Sequence, residues 1–163
     1  YGISAYGLAR QLKIDNIEAK NIIDTYFAKY KRVKEFMEEL KESANKNEYV
    51  ETMHGRKVFL PNISHSNFQV RSAAERTAIN APIQGTAADI LKIAMININQ
   101  WLVSDGIKNV FMIMQVHDEL VFELEEADVE NYGAKISNLM STAEKLSLPL
   151  VVNTFSGSNW RET

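Results

Sequence analysis

Two apolar, strand-like runs separated by three polar residues occupy residues 110–124, the most constraining stretch of the chain. Runs of this length that are rich in Val, Ile and Phe are typical of buried β-strands, so the stretch predicts a hairpin with His117, Asp118 and Glu119 at its tip. Burying an unpaired carboxylate is costly, and Mg²⁺ takes carboxylate and phosphate oxygens as ligands. The tip is therefore either a site for a hard cation or a tight turn that happens to be acidic, and the triplet alone favours neither.

Composition places the chain among ordinary globular proteins. Of its 163 residues, 45% are hydrophobic and 24% are charged, which allows a sizeable core in one domain or two small lobes. The chain has no Cys, and this excludes disulfides and thiolate metal sites. No apolar run approaches the roughly 20 residues of a membrane helix, and no signal peptide is visible. Because the sequence begins at Tyr1 and not at Met, we expect a piece of a longer protein.

Charge is distributed unevenly along the chain. The net charge of −3 taken alone argues weakly against nucleic-acid binding. However, residues 56–92 carry five Lys or Arg against two acids, whereas residues 118–130 carry seven acids and no Lys or Arg. This asymmetry is consistent with a phosphate-contacting face and a separate cation site, or with chance in a small sample.

Hydrophobic periodicity predicts a mixture of helices and strands. A packed helical pair, a hairpin, a long helix, a shorter helix and a final strand are expected at residues 15–44, 49–60, 67–103, about 127–146 and 149–155. Asp15 is positioned to cap the first helix.

The long helix carries a proline and a line of polar residues. Pro82 removes one backbone hydrogen bond, so a kink or break is expected there. Arg76, Asn80 and Gln84 are spaced four residues apart, which places them on one face across that point. They are either three ordinary exposed residues or contacts to base edges and sugars, for which Arg, Asn and Gln are suited.

Three segments together resemble family A DNA polymerases, of the bacterial polymerase I type. They are YGISAYGLA at residues 1–9, AERTAINAPIQGTAADI at 74–90 and MQVHDELV at 114–121. The second and third are long and specific, and the resemblance extends over the whole chain with the motifs in order.

The resemblance implies a role for each matching residue. Asp118 is similar to the palm carboxylate that binds the catalytic magnesium ions, and Glu119 to its acidic neighbour. His117 resembles the residue beside the primer terminus. The residues that follow the primer–template minor groove would be Arg76, Asn80 and Gln84, and those beside the templating base Tyr1 and Gly2.

The resemblance also implies a fold and its limits. We expect an α+β chain in which residues 1–66 form the C-terminal part of a fingers subdomain and residues 67–163 the C-terminal part of a palm, an antiparallel sheet backed by helices. The boundary is set between residues 66 and 67, and its exact position relative to the long helix at residues 67–103 is left open. The second metal-binding Asp of the family, its Asp-Tyr-Ser motif, the triphosphate-binding Arg and Lys, and the thumb have no counterpart in this sequence.

The implied function is that of a DNA-directed DNA polymerase that uses two Mg²⁺ ions. The expected partners are primer–template DNA, deoxynucleoside triphosphates and the remaining fingers, palm and thumb, with no membrane partner and a location in the bacterial cytoplasm near the nucleoid. The fragment alone is expected to be inactive. The alternatives are a non-catalytic nucleic-acid-binding module and a small metal-dependent phosphohydrolase using His117, Asp118 and Glu119.

Overall fold

Within residues 2–162, the range that the computed structural model describes, the chain forms five α-helices and two small antiparallel sheets. This arrangement confirms the α+β fold class. The residues group into two units, one ending at Thr86 and one beginning at Ala87, so the division lies inside the longest helix. The predicted boundary between residues 66 and 67 concerns fingers and palm. It stays a prediction, because grouping by contacts does not test it.

The first unit contains three helices, a hairpin and the start of the long helix. Their bounds are α1 Ala5–Leu12, α2 Asn16–Lys29, α3 Lys31–Asn47, β1 Tyr49–Glu51, β2 Lys57–Phe59 and α4 Phe68–Ser104. Side chains cap the N-termini of the first two helices. The Ser4 hydroxyl accepts a hydrogen bond from the backbone N–H of Gly7, and the Asp15 carboxylate accepts one from the backbone N–H of Glu18. The Asp15 cap was predicted, whereas α1 lies outside the periodic segments that the sequence revealed.

The core of the first unit lies where α3, the first hairpin and α4 meet. It is formed by Ala44, Val50, Leu60, Ile63, Ala74 and Ala78. The apolar stripe predicted along α2 and α3 is mostly outside this core, because Tyr26, Tyr30 and Phe36 all remain exposed. The predicted packed helical pair is therefore covered only in part in the described residues, where Leu40 packs against the core and most of this face stays exposed.

Helix α4 continues through Pro82 without interruption, so of the predicted kink or break the break does not occur, and the kink stays a prediction. Proline cannot donate the backbone hydrogen bond that the Ala78 carbonyl would accept. The hydroxyl of Thr86 donates to the Pro82 carbonyl at 2.6 Å, which adds a local bond on the C-terminal side of the proline. One missing bond is a small fraction of the bonds in a helix of 37 residues, and packing outweighs it.

The second unit contains the rest of α4, a longer hairpin and a further helix. Strand β3 Val110–Val116 pairs with β4 Glu119–Leu124, a short 3₁₀ turn follows at Glu126–Asp128, α5 is Val129–Ser141, and a second 3₁₀ turn is Trp160–Glu162. The core is formed by Ile98, Leu102, Val110 and Ile136, with half-buried side chains from the inner face of the hairpin around them.

The second hairpin buries only one of its faces. Phe111 and Ile113 are 54% and 53% exposed, so the prediction of buried strands holds for the inner face and not for the outer one. Antiparallel sheets commonly cover one face and leave the other open, because successive side chains point to opposite sides. A bulge between Met112 and Met114 inserts Ile113 as an extra residue and shifts this alternation.

Residues 149–155 form no strand in the described part of the chain, contrary to the prediction. Val151 and Phe155 are exposed there, as expected for an apolar strand sequence without a pairing partner among the described residues. Among the helices of residues 2–162, none is both long enough and apolar enough to span a membrane.

Candidate functional site

The tip of the second hairpin is a two-residue turn made by His117 and Asp118. Val116 pairs with Glu119, so Glu119 is the first residue of β4 and not part of the loop, as the three-residue polar tip had suggested. His117 has a φ of 52°, in the left-handed region that tight two-residue hairpin turns require. The Gln115 side-chain amide donates to the His117 carbonyl at 2.7 Å and braces the turn from within the hairpin.

The carboxylates of Asp118 and Glu119 are both exposed at this tip. They are adjacent hard oxygen donors, a chemistry that Mg²⁺ accepts, with its remaining positions taken by water and phosphate oxygens. Among residues 2–162, no group of three or more His, Asp or Glu side chains is placed to hold a metal ion. The pair therefore fits a magnesium ion as a partial ligand set. A phosphohydrolase that completes its site within the described residues is not supported.

A second set of predicted residues lies on α4 in the first unit. Because the helix is continuous, Arg76, Asn80 and Gln84 lie along one face over about 12 Å. The Arg76 guanidinium donates to the Ser72 hydroxyl at 3.2 Å, and Gln84 is exposed. The side-chain oxygen of Asn80 is buried without a hydrogen-bond partner, which is unusual for an amide oxygen.

Gly2 lies directly against this face. It has a φ of +74°, and a Cβ added to it would lie 3.2 Å from Cγ of Arg76 and 3.6 Å from Cδ1 of Ile79. A side chain here would meet both the backbone strain and the Arg76 stem, so glycine is the residue that permits this approach. Tyr1, the other residue predicted beside the templating base, lies outside the described residues.

The predicted site residues thus form two groups, one in each unit. Gly2, Arg76, Asn80 and Gln84 belong to the first unit. His117, Asp118 and Glu119 belong to the second unit.

Sequence reasoning missed a set of contacts that hold the first group. The turn at residues 52–56, predicted only as a hairpin turn, lies against residues 82–86 of α4 and bonds to Gly85 and Thr86. A glycine inside a long helix was the signal available, since it usually marks a close approach by another part of the chain.

Comparison with known proteins decides the family. The model for DNA polymerase family A matches residues 1–162. The chain belongs to this family. The resemblance of the three motifs is thereby confirmed, and divalent metal ions are a general requirement of such polymerases.

Curated relatives in the family cover the chain almost completely. DNA polymerase I of Pseudomonas aeruginosa is 49% identical over 162 residues, which are 99% of this chain and 18% of that protein. DNA polymerase I of Lactococcus lactis subsp. cremoris is 45% identical over the same shares of the two chains. The chain therefore spans about a fifth of the length of the curated relatives it matches.

A solved structure in the family has the same fold. The POL domain of Pol1 from M. smegmatis, in complex with DNA primer-template and dNTP, superimposes with a TM-score of 0.87 at 45% identity. The match covers 92% of this chain and 26% of the solved one.

Proposed function

We propose that this chain is part of a longer DNA-directed DNA polymerase that extends a primer by nucleotidyl transfer from deoxynucleoside triphosphates with two Mg²⁺ ions. The observation that carries the proposal is the pair of exposed, adjacent carboxylates, Asp118 and Glu119, at a braced hairpin tip in a chain of this family. The solved relative, described as a complex with primer-template and dNTP, supports the substrate class.

Asp118 and Glu119 are the proposed metal carboxylates. Bound ions would neutralise charge on the attacking and leaving oxygens of phosphoryl transfer. The hairpin contributes the placement, since the two-residue turn and the Gln115 bond hold the backbone that carries Asp118. His117 is proposed to lie beside the primer terminus.

The face of α4 is the proposed contact with the primer–template minor groove. Acceptors there look nearly alike for every correct base pair, so Arg76, Asn80 and Gln84 can test pair shape without reading sequence. Tyr1 and Gly2 are proposed to lie beside the templating base.

The remaining assignments follow from the same proposal. Residues 1–66 would belong to the fingers and residues 67–163 to the palm, with the rest of fingers, palm and thumb as partners in the parent chain. Such an enzyme would serve replication and repair in the bacterial cytoplasm, where the nucleoid lies.

The test is template-directed primer extension by the whole polymerase that contains this chain. Extension should require all four deoxynucleoside triphosphates and Mg²⁺, and the isolated chain should give none because it lacks further ligands of the site. Calorimetry should find only weak binding of Mg²⁺ to the isolated chain, since two carboxylates leave most of the octahedron to water. Tight, stoichiometric binding by the isolated chain would contradict the proposal and favour a self-contained metal enzyme.

A further inference from the structure

The turn at residues 52–56 of the first hairpin contacts the helical turn of α4 at residues 82–86, through Gly85 and Thr86. The backbone N–H of Met53 donates to the Thr86 hydroxyl at 2.9 Å, and the Arg56 guanidinium donates to the Gly85 carbonyl at 3.0 Å. Thr52, the residue before Met53, is buried, with 5% of its surface exposed. Both bonds reach over 29 or more residues of sequence, so they are tertiary contacts and not local turn geometry.

Gly85 permits this approach. A Cβ at Gly85 would lie 2.6 Å from Cγ2 of Thr52, closer than real Cβ contacts, and 3.2 Å from Nη2 of Arg56, a tight contact that the flexible Arg56 side chain can relieve. Glycine inside a helix is less stable than alanine there. The close packing of Thr52 on the helix explains why glycine is nevertheless present.

The helical turn that the hairpin contacts contains Pro82. Pro82 lacks a backbone N–H and is disfavoured inside helices, where it promotes kinks. The Thr86 hydroxyl donates to the Pro82 carbonyl while it accepts from Met53, so one hydroxyl connects the hairpin to the proline turn. Arg76 and Asn80 precede this turn and Gln84 lies within it, so its geometry determines how the three side chains align.

We propose that the 52–56 turn is a positioning element that fixes the course of α4 across Pro82, and thereby holds Gln84 in line with Arg76 and Asn80 against the primer–template. This inference rests on the proposed function of that face. Thr52 is buried, and Gly85 and Thr86 are bonded to the hairpin turn, so their proposed role is exerted through the side chains they align.

The experiment removes one hydroxyl and keeps the shape. In the whole polymerase, Thr86→Val deletes the bonds to Met53 and Pro82, and Thr86→Ser restores the hydroxyl. Thr77→Val is the matched control, because Thr77 is an exposed residue of the same helix whose hydroxyl donates only to the Ala73 carbonyl. The readout is single-turnover extension from matched and mismatched primer ends, with Gln84→Ala measured beside it and thermal unfolding recorded for every variant.

Thr86→Val should change the ratio of matched to mismatched extension in the same direction as Gln84→Ala, by about tenfold, since small misplacements of aligned groups cost rates of this order. Thr86→Ser should restore most of the wild-type ratio, and Thr77→Val should leave it unchanged. Hydrogen exchange of the amides after Pro82 should accelerate in Thr86→Val by about tenfold.

Two results would overturn the inference in distinguishable ways. If Gln84→Ala changes the ratio and Thr86→Val does not, the positioning role is wrong and the proposed DNA contact stands. If neither variant changes the ratio, both fall together. A Thr86→Val protein that only melts at a lower temperature, with a wild-type ratio below its melting point, reduces the turn to a stability element and contradicts the proposal.

Discussion

The two antiparallel hairpins differ in the environment of their tips, which is packed against a helix in the first and exposed in the second. The first hairpin has three residue pairs, and its 52–56 turn is docked on α4 with Thr52 buried. The second hairpin has six residue pairs, and its tip at His117 and Asp118 is exposed. The side-chain bond from Gln115 to the tip comes from the hairpin itself.

The difference follows from what each ladder can support. A hairpin of three pairs is not stable alone in water, so the first hairpin depends on contacts made by its turn and by Val50 and Leu60 in the core. The longer hairpin gains its stability from six pairs and one packed face. Its tip is not needed for packing, and it can therefore carry two adjacent carboxylates that remain exposed.

The largest effect that this comparison predicts is at the exposed tip. In the whole polymerase, Asp118→Ala should reduce primer extension by about a thousandfold, which corresponds to a loss of about 4 kcal/mol of transition-state stabilisation from a metal ligand. Primer–template affinity should change little, because it comes mainly from phosphate contacts elsewhere. Glu123→Gln is the control, as Glu123 is an exposed acid of β4, the strand that follows the turn. Near-normal extension by Asp118→Ala would show that the bare tip has no catalytic role.

The face supported by the docked hairpin should give a smaller effect of another kind. Arg76→Ala or Gln84→Ala should lower extension by about tenfold to a hundredfold, since a good bidentate base contact contributes about 1–3 kcal/mol. Discrimination against mispairs should change, while the Mg²⁺ dependence should not. Gln100→Ala removes an exposed Gln from the same helix and serves as the control. Equal rates for variant and wild type on matched and mismatched primers would make these residues ordinary exposed positions.

Two helical glycines test whether docking is what distinguishes the first hairpin. Gly85→Ala should destabilise the local structure by about 1–2 kcal/mol, because overpacking against Thr52 exceeds the gain in helix propensity. Gly133→Ala should instead stabilise α5 by about 0.5–1 kcal/mol, since its Cβ would meet only Cγ2 of Thr154 at an ordinary 3.8 Å. Hydrogen exchange of amides in each helix gives the two values separately. If both substitutions stabilise their helices, Thr52 can move away from an added Cβ at Gly85 without a loss of free energy, and docking does not require glycine there.

Local signals in the sequence predicted most elements of the fold. The capping carboxylate of Asp15 and the period of the apolar residues in α4 act within a few residues, and both were read correctly. At Pro82 the sequence predicted a kink or a break, and the helix has no break there; the contacts beside the proline come from residues 29 and 33 positions earlier. Non-local packing of this kind leaves little trace in one sequence apart from Gly85.

The candidate site was only partly predictable for a similar reason. The polar tip of the second hairpin was visible as a triplet between two apolar runs, but its register was not. The register makes Glu119 a strand residue and places His117 in the left-handed region. Resemblance to a family supplied the roles of these residues, whereas their exposure and the bond from Gln115 required the structure.

The smallest predicted effect concerns the backbone of the two tips. Both turns contain a positive φ, at Gly55 in the first and at His117 in the second. A non-glycine residue there costs about 1–2 kcal/mol, and glycine loses part of that advantage through unfolded-state entropy. His117→Gly should therefore stabilise the second hairpin by about 0.5–1 kcal/mol. Gly55→Ala should destabilise the first hairpin by a similar amount. No atom lies within 4 Å of the added Cβ, so the whole effect comes from the positive φ.

Hydrogen exchange of the hairpin amides measures both changes. The bond from Gln115 goes to the backbone carbonyl of residue 117, so it survives in His117→Gly and does not confuse the comparison. If His117 lies beside the primer terminus, as proposed, the polymerase with His117→Gly should extend primers more slowly although its second hairpin is more stable. A hairpin that becomes less stable in His117→Gly would show that the imidazole holds the turn, and the docked and the exposed tip would then both depend on their side chains.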